Sequence, residues 1–167
     1  LRGYAGDEVT PGQGDTPNQV TTNRNVAIGE RSMYNAWTLA DKNVFIGYRA
    51  AFSAAGGGQE TNTYNENVGI GNEVGYDIES GVGNVMVGHN AGHSLTTGDK
   101  NVLLGWKAGS QLTTESNKLY IANSDTTTPL IEGDFSTSNV IINNVGGNNT
   151  TSSTLLVKTD TGTSSSK

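Results

Sequence analysis

The stretch Asn84-Val85-Met86-Val87-Gly88-His89-Asn90-Ala91-Gly92 returns 17 residues later as Asn101-Val102-Leu103-Leu104-Gly105-Trp106-Lys107-Ala108-Gly109. Its opening phrase, Asn-Val-x-(Ile/Val/Leu)-Gly, also begins at Asn25, Asn43 and Asn67, so that successive copies start 18, 24, 17 and 17 residues apart. A short period of this kind means one structural unit stacked on copies of itself. The second slot holds Val26, Val44, Val68, Val85 and Val102, and the fourth holds Ile28, Ile46, Ile70, Val87 and Leu104. Residues two apart share one face of a strand, whereas a helix needs apolar residues three and four apart and fewer glycines. The fifth slot is always glycine, at Gly29, Gly47, Gly71, Gly88 and Gly105. Glycine accepts positive φ and close backbone approach, so it ends each strand at a corner. Each unit reads as a short strand, a corner, a second weaker strand and a turn back. The fold class expected is all-β, a parallel β-solenoid (β-roll) of about 17-residue coils, with strands about 4.8 Å apart.

Two readings are open for the leading asparagines, Asn25, Asn43, Asn67, Asn84 and Asn101. One is simple turn preference; the other is a ladder of side-chain hydrogen bonds from coil to coil. If slots two and four face the coil interior, the slot between them faces out. That slot carries Ala27, Phe45, Gly69, Met86 and Leu103, with no polar side chain. A strand apolar on both faces is covered on both. An identical chain packed around a rotation axis is the simplest cover, because a bare apolar stripe is seldom tolerated. The expectation is a homotrimer whose interface includes Ala27, Phe45, Met86 and Leu103.

Composition agrees with an elongated shape. Hydrophobic residues make up only 33% and glycine reaches 23 residues, too lean for a compact sphere but enough for a thin core along an axis. The net charge of −6 argues against nucleic-acid phosphates and anionic lipid as partners. The absence of cysteine removes disulfides and thiolate metal sites. No apolar run approaches the roughly 18 residues of a membrane span. The chain divides into an irregular N-terminal segment (1–24), solenoid repeats (25–122), and a C-terminal β segment and linker (123–167). Lys118-Leu119-Tyr120-Ile121-Ala122, Asn139-Val140-Ile141-Ile142-Asn143 and Thr154-Leu155-Leu156-Val157-Lys158 are looser copies of the phrase. Pro129 to Phe135 reads as a short strand and turn, and Gly146 to Ser153 as a low-complexity hinge. The long second interval holds an insertion at residues 54–62. The start at Leu1, without an initiator methionine or signal peptide, reads as part of a longer chain.

Chemistry is sparse. His89 and His93 are four apart, but they occupy the repeat slots of Tyr48 and Phe52, which makes them surface or corner residues. A metal held by three copies of one histidine on a trimer axis is the alternative. The carboxylates lack calcium-loop spacing, and no helix follows the Gly-rich phrases to bind a phosphate. No cofactor, metal or catalytic group is expected, and the chain is not read as an enzyme. Tyr48, Trp106, Tyr76 and Trp37 are candidate ligand-binding residues, as platforms for sugar rings; the competing role is packing between chains.

The phrases from Asn43 to Ala51, Asn84 to Gly92 and Asn101 to Gly109 resemble the Asn-x-x-(Ile/Val)-Gly-x-x-Ala-Gly repeats of bacteriophage tail fibres and related bacterial surface fibres. More distantly they resemble the heads of trimeric autotransporter adhesins, whose Asn-Ser-Val-Ala-Ile-Gly phrase is nearest at Asn25-Val26-Ala27-Ile28-Gly29. The resemblance covers about residues 25–122 and implies a trimeric left-handed β-roll used for attachment or spacing. It implies a structural, adhesive segment of a virion tail fibre, or of a fibre at the cell surface. Its partners would be itself, a host cell-surface glycan or protein receptor, and other fibre or baseplate proteins. Alternatives are a bacterial surface adhesin and a fibre-type polysaccharide depolymerase, which would need a carboxylate pair between chains.

Overall fold

The structure is a computed structural model that describes residues 24–34, 40–52 and 62–142. Trp37, residues 1–23, most of the insertion, the Gly146–Ser153 stretch and the Thr154–Lys158 copy lie outside the described residues. Among the described residues eight strands form one sheet in chain order: β1 (Val26–Ile28), β2 (Val44–Ile46), β3 (Val68–Ile70), β4 (Val85–Val87), β5 (Val102–Leu104), β6 (Lys118–Ile121), β7 (Ile131–Asp134) and β8 (Asn139–Ile142). From β1 to β6 all pairings are parallel and repeat slot sits on repeat slot, as in Met86 on Leu103 and Leu103 on Tyr120. This is a parallel β-solenoid with a coil spacing of about 17 residues. The Asn139 copy of the phrase is not a further parallel coil. It is β8, joined to the same sheet antiparallel through β7.

Among the described residues each coil shows one strand. The expected second strand is replaced by a run of turns. Each described turn run places two residues with positive φ on either side of one residue, for example Lys107 (56°) and Gly109 (61°), or Arg49 (49°) and Ala51 (51°). Left-handed residues at alternate positions prevent an extended segment. Stacking continues regardless, because turn amides bond to the equivalent carbonyl one coil away. Lys107 donates to His89 (2.8 Å), Glu73 to Tyr48 (2.8 Å) and Gly75 to Ala91 (3.0 Å).

The two strand faces are the reverse of the sequence expectation. Phe45, Met86 and Leu103 are fully buried inside the coil, and Ala27 packs against the same core. They line the interior and are unavailable as an oligomer interface. The second and fourth slots point outward, with Ile28 41% and Val87 37% exposed. A period of two says which residues share a face, not which face is inside. The choice follows from coil size. A coil with a single three-residue strand has room for one strand side chain, together with return-path residues such as Val74, Ile78, Leu95 and Leu112. Volume is balanced between coils: a Cβ at Gly69 would lie 2.4 Å from the Phe45 ring, which occupies that space.

Candidate functional site

Two backbone columns flank the strands and hold the coils together. The first is the asparagine ladder, which decides between the two readings of the leading asparagine. Asn84 Oδ1 accepts from the backbone N–H of Asn101 (2.9 Å) and from its side-chain amide (3.0 Å). The Asn84 amide donates to Asn67 Oδ1 (3.0 Å) and to Gly98 O (2.8 Å) across its own coil. Asn43 and Asn67 repeat the pattern, and both, with Asn84 and Asn101, are fully buried. The last rung, Asn101 Oδ1, accepts from Lys118 N (2.9 Å). Among the described residues the stack ends here, where the next strand pairs antiparallel, and a lysine stands in place of asparagine. Its ammonium reaches out to Asp134 (2.9 Å) on β7.

The second column is glycine. A Cβ on Gly29, Gly47, Gly71 or Gly88 would fall 2.0–2.3 Å from the carbonyl oxygen of the next glycine in the column. The column ends where Gly105 meets Ala122. Beyond Ala122 the chain returns antiparallel, and a methyl group is accommodated there.

Among the described residues three buried side-chain atoms, Arg49 Nε, the Tyr64 hydroxyl and Asn90 Oδ1, lack a hydrogen-bond partner, and Tyr64 is the fully buried residue of the three. The Tyr64 hydroxyl is buried without a hydrogen-bond partner, its ring edge-on to Phe45. Burial holds its pKa far above the ordinary phenol value. A hydroxyl removed from water without a partner is a net cost. Tyr64→Phe is therefore expected to keep the fold and raise stability by about 1 kcal/mol, read as a higher urea midpoint at unchanged slope.

A ring column occupies the tenth slot of the repeat. Tyr34, Phe52, Tyr76 and His93 stack with centroids 5.3, 5.1 and 4.8 Å apart. His93 also approaches Asp77 (3.9 Å), whose carboxyl is pushed upward by burial and held back by the histidine. On the same wall the Arg49 guanidinium lies over Tyr48 (5.1 Å) and Phe52 (5.3 Å), and Lys107 lies over Trp106 (4.8 Å). Of the candidate sugar platforms, Tyr76 has both ring faces taken by Phe52 and His93. It presents an edge and offers no stacking face. Tyr48 (37% exposed) and Trp106 (49%) are part-exposed, three coils apart, each with a cation over its ring. His89 stacks on Trp106 (6.2 Å) and His93 on Tyr76. The two histidines thus belong to separate ring contacts. Among the described residues no group of three His, Asp or Glu gathers to hold a metal.

The outer face of the sheet is the surface that the sequence reading misplaced. Register carries it from Val85 and Val87 through Val102 and Leu104 to Leu119 and Ile121. It continues through Gly133 and Ile131 to Val140 and Ile142. At Gly133 a Cβ would meet Leu119 Cβ at 3.0 Å, so the leucine fills the gap. The opposite face of the hairpin carries Asp134, Glu132 and Asn139, with Ile141 the one apolar exception.

Asp134 also pins the hairpin. The Ser136 hydroxyl and the Lys118 ammonium hold its carboxyl well below the usual carboxylate range. A carboxylate depressed in the folded state gives stability that is present above its unfolded pKa and lost as pH falls toward the folded one. Asp134→Asn is expected to lower the urea midpoint at pH 7. That deficit should begin to narrow below about pH 4, which midpoints measured from pH 7 to pH 3 would show.

Compared with known protein families, curated proteins and solved structures, the chain finds no match.

Proposed function

We propose that this chain is a structural and adhesive segment of a homotrimeric fibre of the bacteriophage tail-fibre type, working outside the cell to space or present a receptor-binding surface. The observation that carries the reading is the unbroken column of asparagine and backbone bonds from coil one to coil six. It makes a stiff rod of uniform register, and the repeats that build it resemble those of such fibres. Function would rest on rigidity and multivalency: three equivalent walls carrying Tyr48 and Trp106 raise avidity without strong single contacts. Host cell-surface glycan or protein is the receptor class that fits those exposed rings.

The test is incubation of the purified protein with capsular and cell-wall glycans, with bound and released sugar measured together. Retention without new reducing ends is the expected result. Release of oligosaccharide would overturn the structural reading in favour of a depolymerase.

A further inference from the structure

We infer that the outer face of the sheet, from β1 to β8, is the surface on which a second copy of this chain docks. The inference rests in part on the fibre reading, which alone sets the direction of the copies. Three observations carry the face itself.

The first is the hairpin β7–β8. Among the described residues it follows the last coil and encloses no interior of its own, so its two faces are free to show which side is meant for water. An antiparallel ribbon with one covered face alternates apolar toward the cover and polar toward solvent. Here the polar residues Asp134, Glu132 and Asn139 stand on the side that faces the interior in the coils. Ile131, Val140 and Ile142 stand on the outer side, with Val140 63% exposed. The alternation therefore marks the outer side as the covered one.

The second is continuity. The same aliphatic face runs through all eight strands without a charged or hydrogen-bonding side chain, which at about 4.8 Å per strand is roughly 34 Å of unbroken apolar ribbon. Single exposed apolar residues are ordinary, whereas a contiguous ribbon marks an interaction surface.

The third is charge. A chain of net charge −6 repels its copies over most of its surface, and an uncharged face lets them approach without that repulsion. β-Branched rows at equal height on each copy also interdigitate coil against coil when the copies are parallel and in register. A fibre requires that direction, since every chain must enter at one end and leave at the other.

The chain has no cysteine, so single introduced thiols report on proximity without background. Val87→Cys in the full chain, oxidised in its native state, is expected to give at least tenfold more covalent dimer on a denaturing gel than Thr97→Cys, at an exposed position off the sheet. Val26→Cys and Val140→Cys should each cross-link with itself. If Val26→Cys links only when mixed with Val140→Cys, the copies are antiparallel: the docking face stands and the fibre reading falls. A native mass of one chain, with the Val87 thiol freely alkylated and no dimer formed, would overturn the docking face while leaving the glycan result untouched. A charged pair of substitutions, Ile70→Lys with Val87→Lys, provides a second readout. It should reduce the native mass to one chain with the circular-dichroism spectrum unchanged, because both side chains point away from the core.

Discussion

Asn84→Leu unstacks the solenoid. Leucine fills a similar volume, so the loss is not one of packing. It strips the buried Asn101 N–H and the buried Gly98 carbonyl of the partners that Asn84 gives them. Each buried polar group left unpaired costs about 1–3 kcal/mol, for a combined loss near 4 kcal/mol, a large share of the roughly 5–15 kcal/mol that holds a typical domain together. The comparison that gives this result meaning is Asn25→Leu. Asn25, the half-buried first rung among the described residues, accepts from Asn43 and donates to Ala40 O (2.8 Å) in the same way, but its bonds are only part-buried, so its loss should be smaller, about 1–2 kcal/mol. Equal losses at the two sites, measured by urea denaturation, would mean that burial of the rung does not set what its bonds are worth.

Gly71→Ala should be at least as damaging, through one methyl group. The new Cβ would stand 2.3 Å from the Gly88 carbonyl oxygen at a φ of +146°. No rotamer relieves a Cβ, and both clashing parties are backbone. Coils three and four would have to move apart, which breaks the Gly88 N–H bond to Ile70 O (2.8 Å). The backbone conformation alone costs a non-glycine residue on the order of 1–3 kcal/mol, and the separation of the coils adds to it. Gly83→Ala is the control. Its φ is also positive (+70°), but the nearest atom is a Lys100 side-chain carbon at 3.6 Å. It should lose only the conformational share, about 1 kcal/mol, which the same denaturation series would measure.

The register of the coils was fully legible in the sequence, because the asparagine and glycine slots repeat and each has a local physical reason to do so. Which strand face turns inward was not legible. Val87 and Met86 are both apolar, and a two-residue period is silent on direction; the uneven volumes of Ala27, Phe45, Gly69, Met86 and Leu103 were the available clue, since an interior can trade volume between neighbours. The missing second strand was hidden for a different reason. Arg49, Asn90 and Lys107 adopt positive φ although none is glycine, and nothing in a single copy of the repeat announces it. The antiparallel turn of β8 was masked by its likeness to the phrase. The ring column could have been read from the tenth slot, where Tyr34, Phe52, Tyr76 and His93 align once the copies are superposed. The exposure of Tyr48 and Trp106 goes with a slot whose residues vary from copy to copy, whereas the shielding of Tyr76 depends on neighbours in other coils.

Coil two spans 24 residues between its asparagines, where the following two span 17, yet Asn67 meets Asn43 with the same bonds as every other pair. The rungs measure height and ignore circumference. Between Phe52 and Asn62 the chain therefore tolerates added contour length at no change in pitch. A foreign peptide spliced at that point should ride on the rod as cargo while the rungs on either side of it stay bonded.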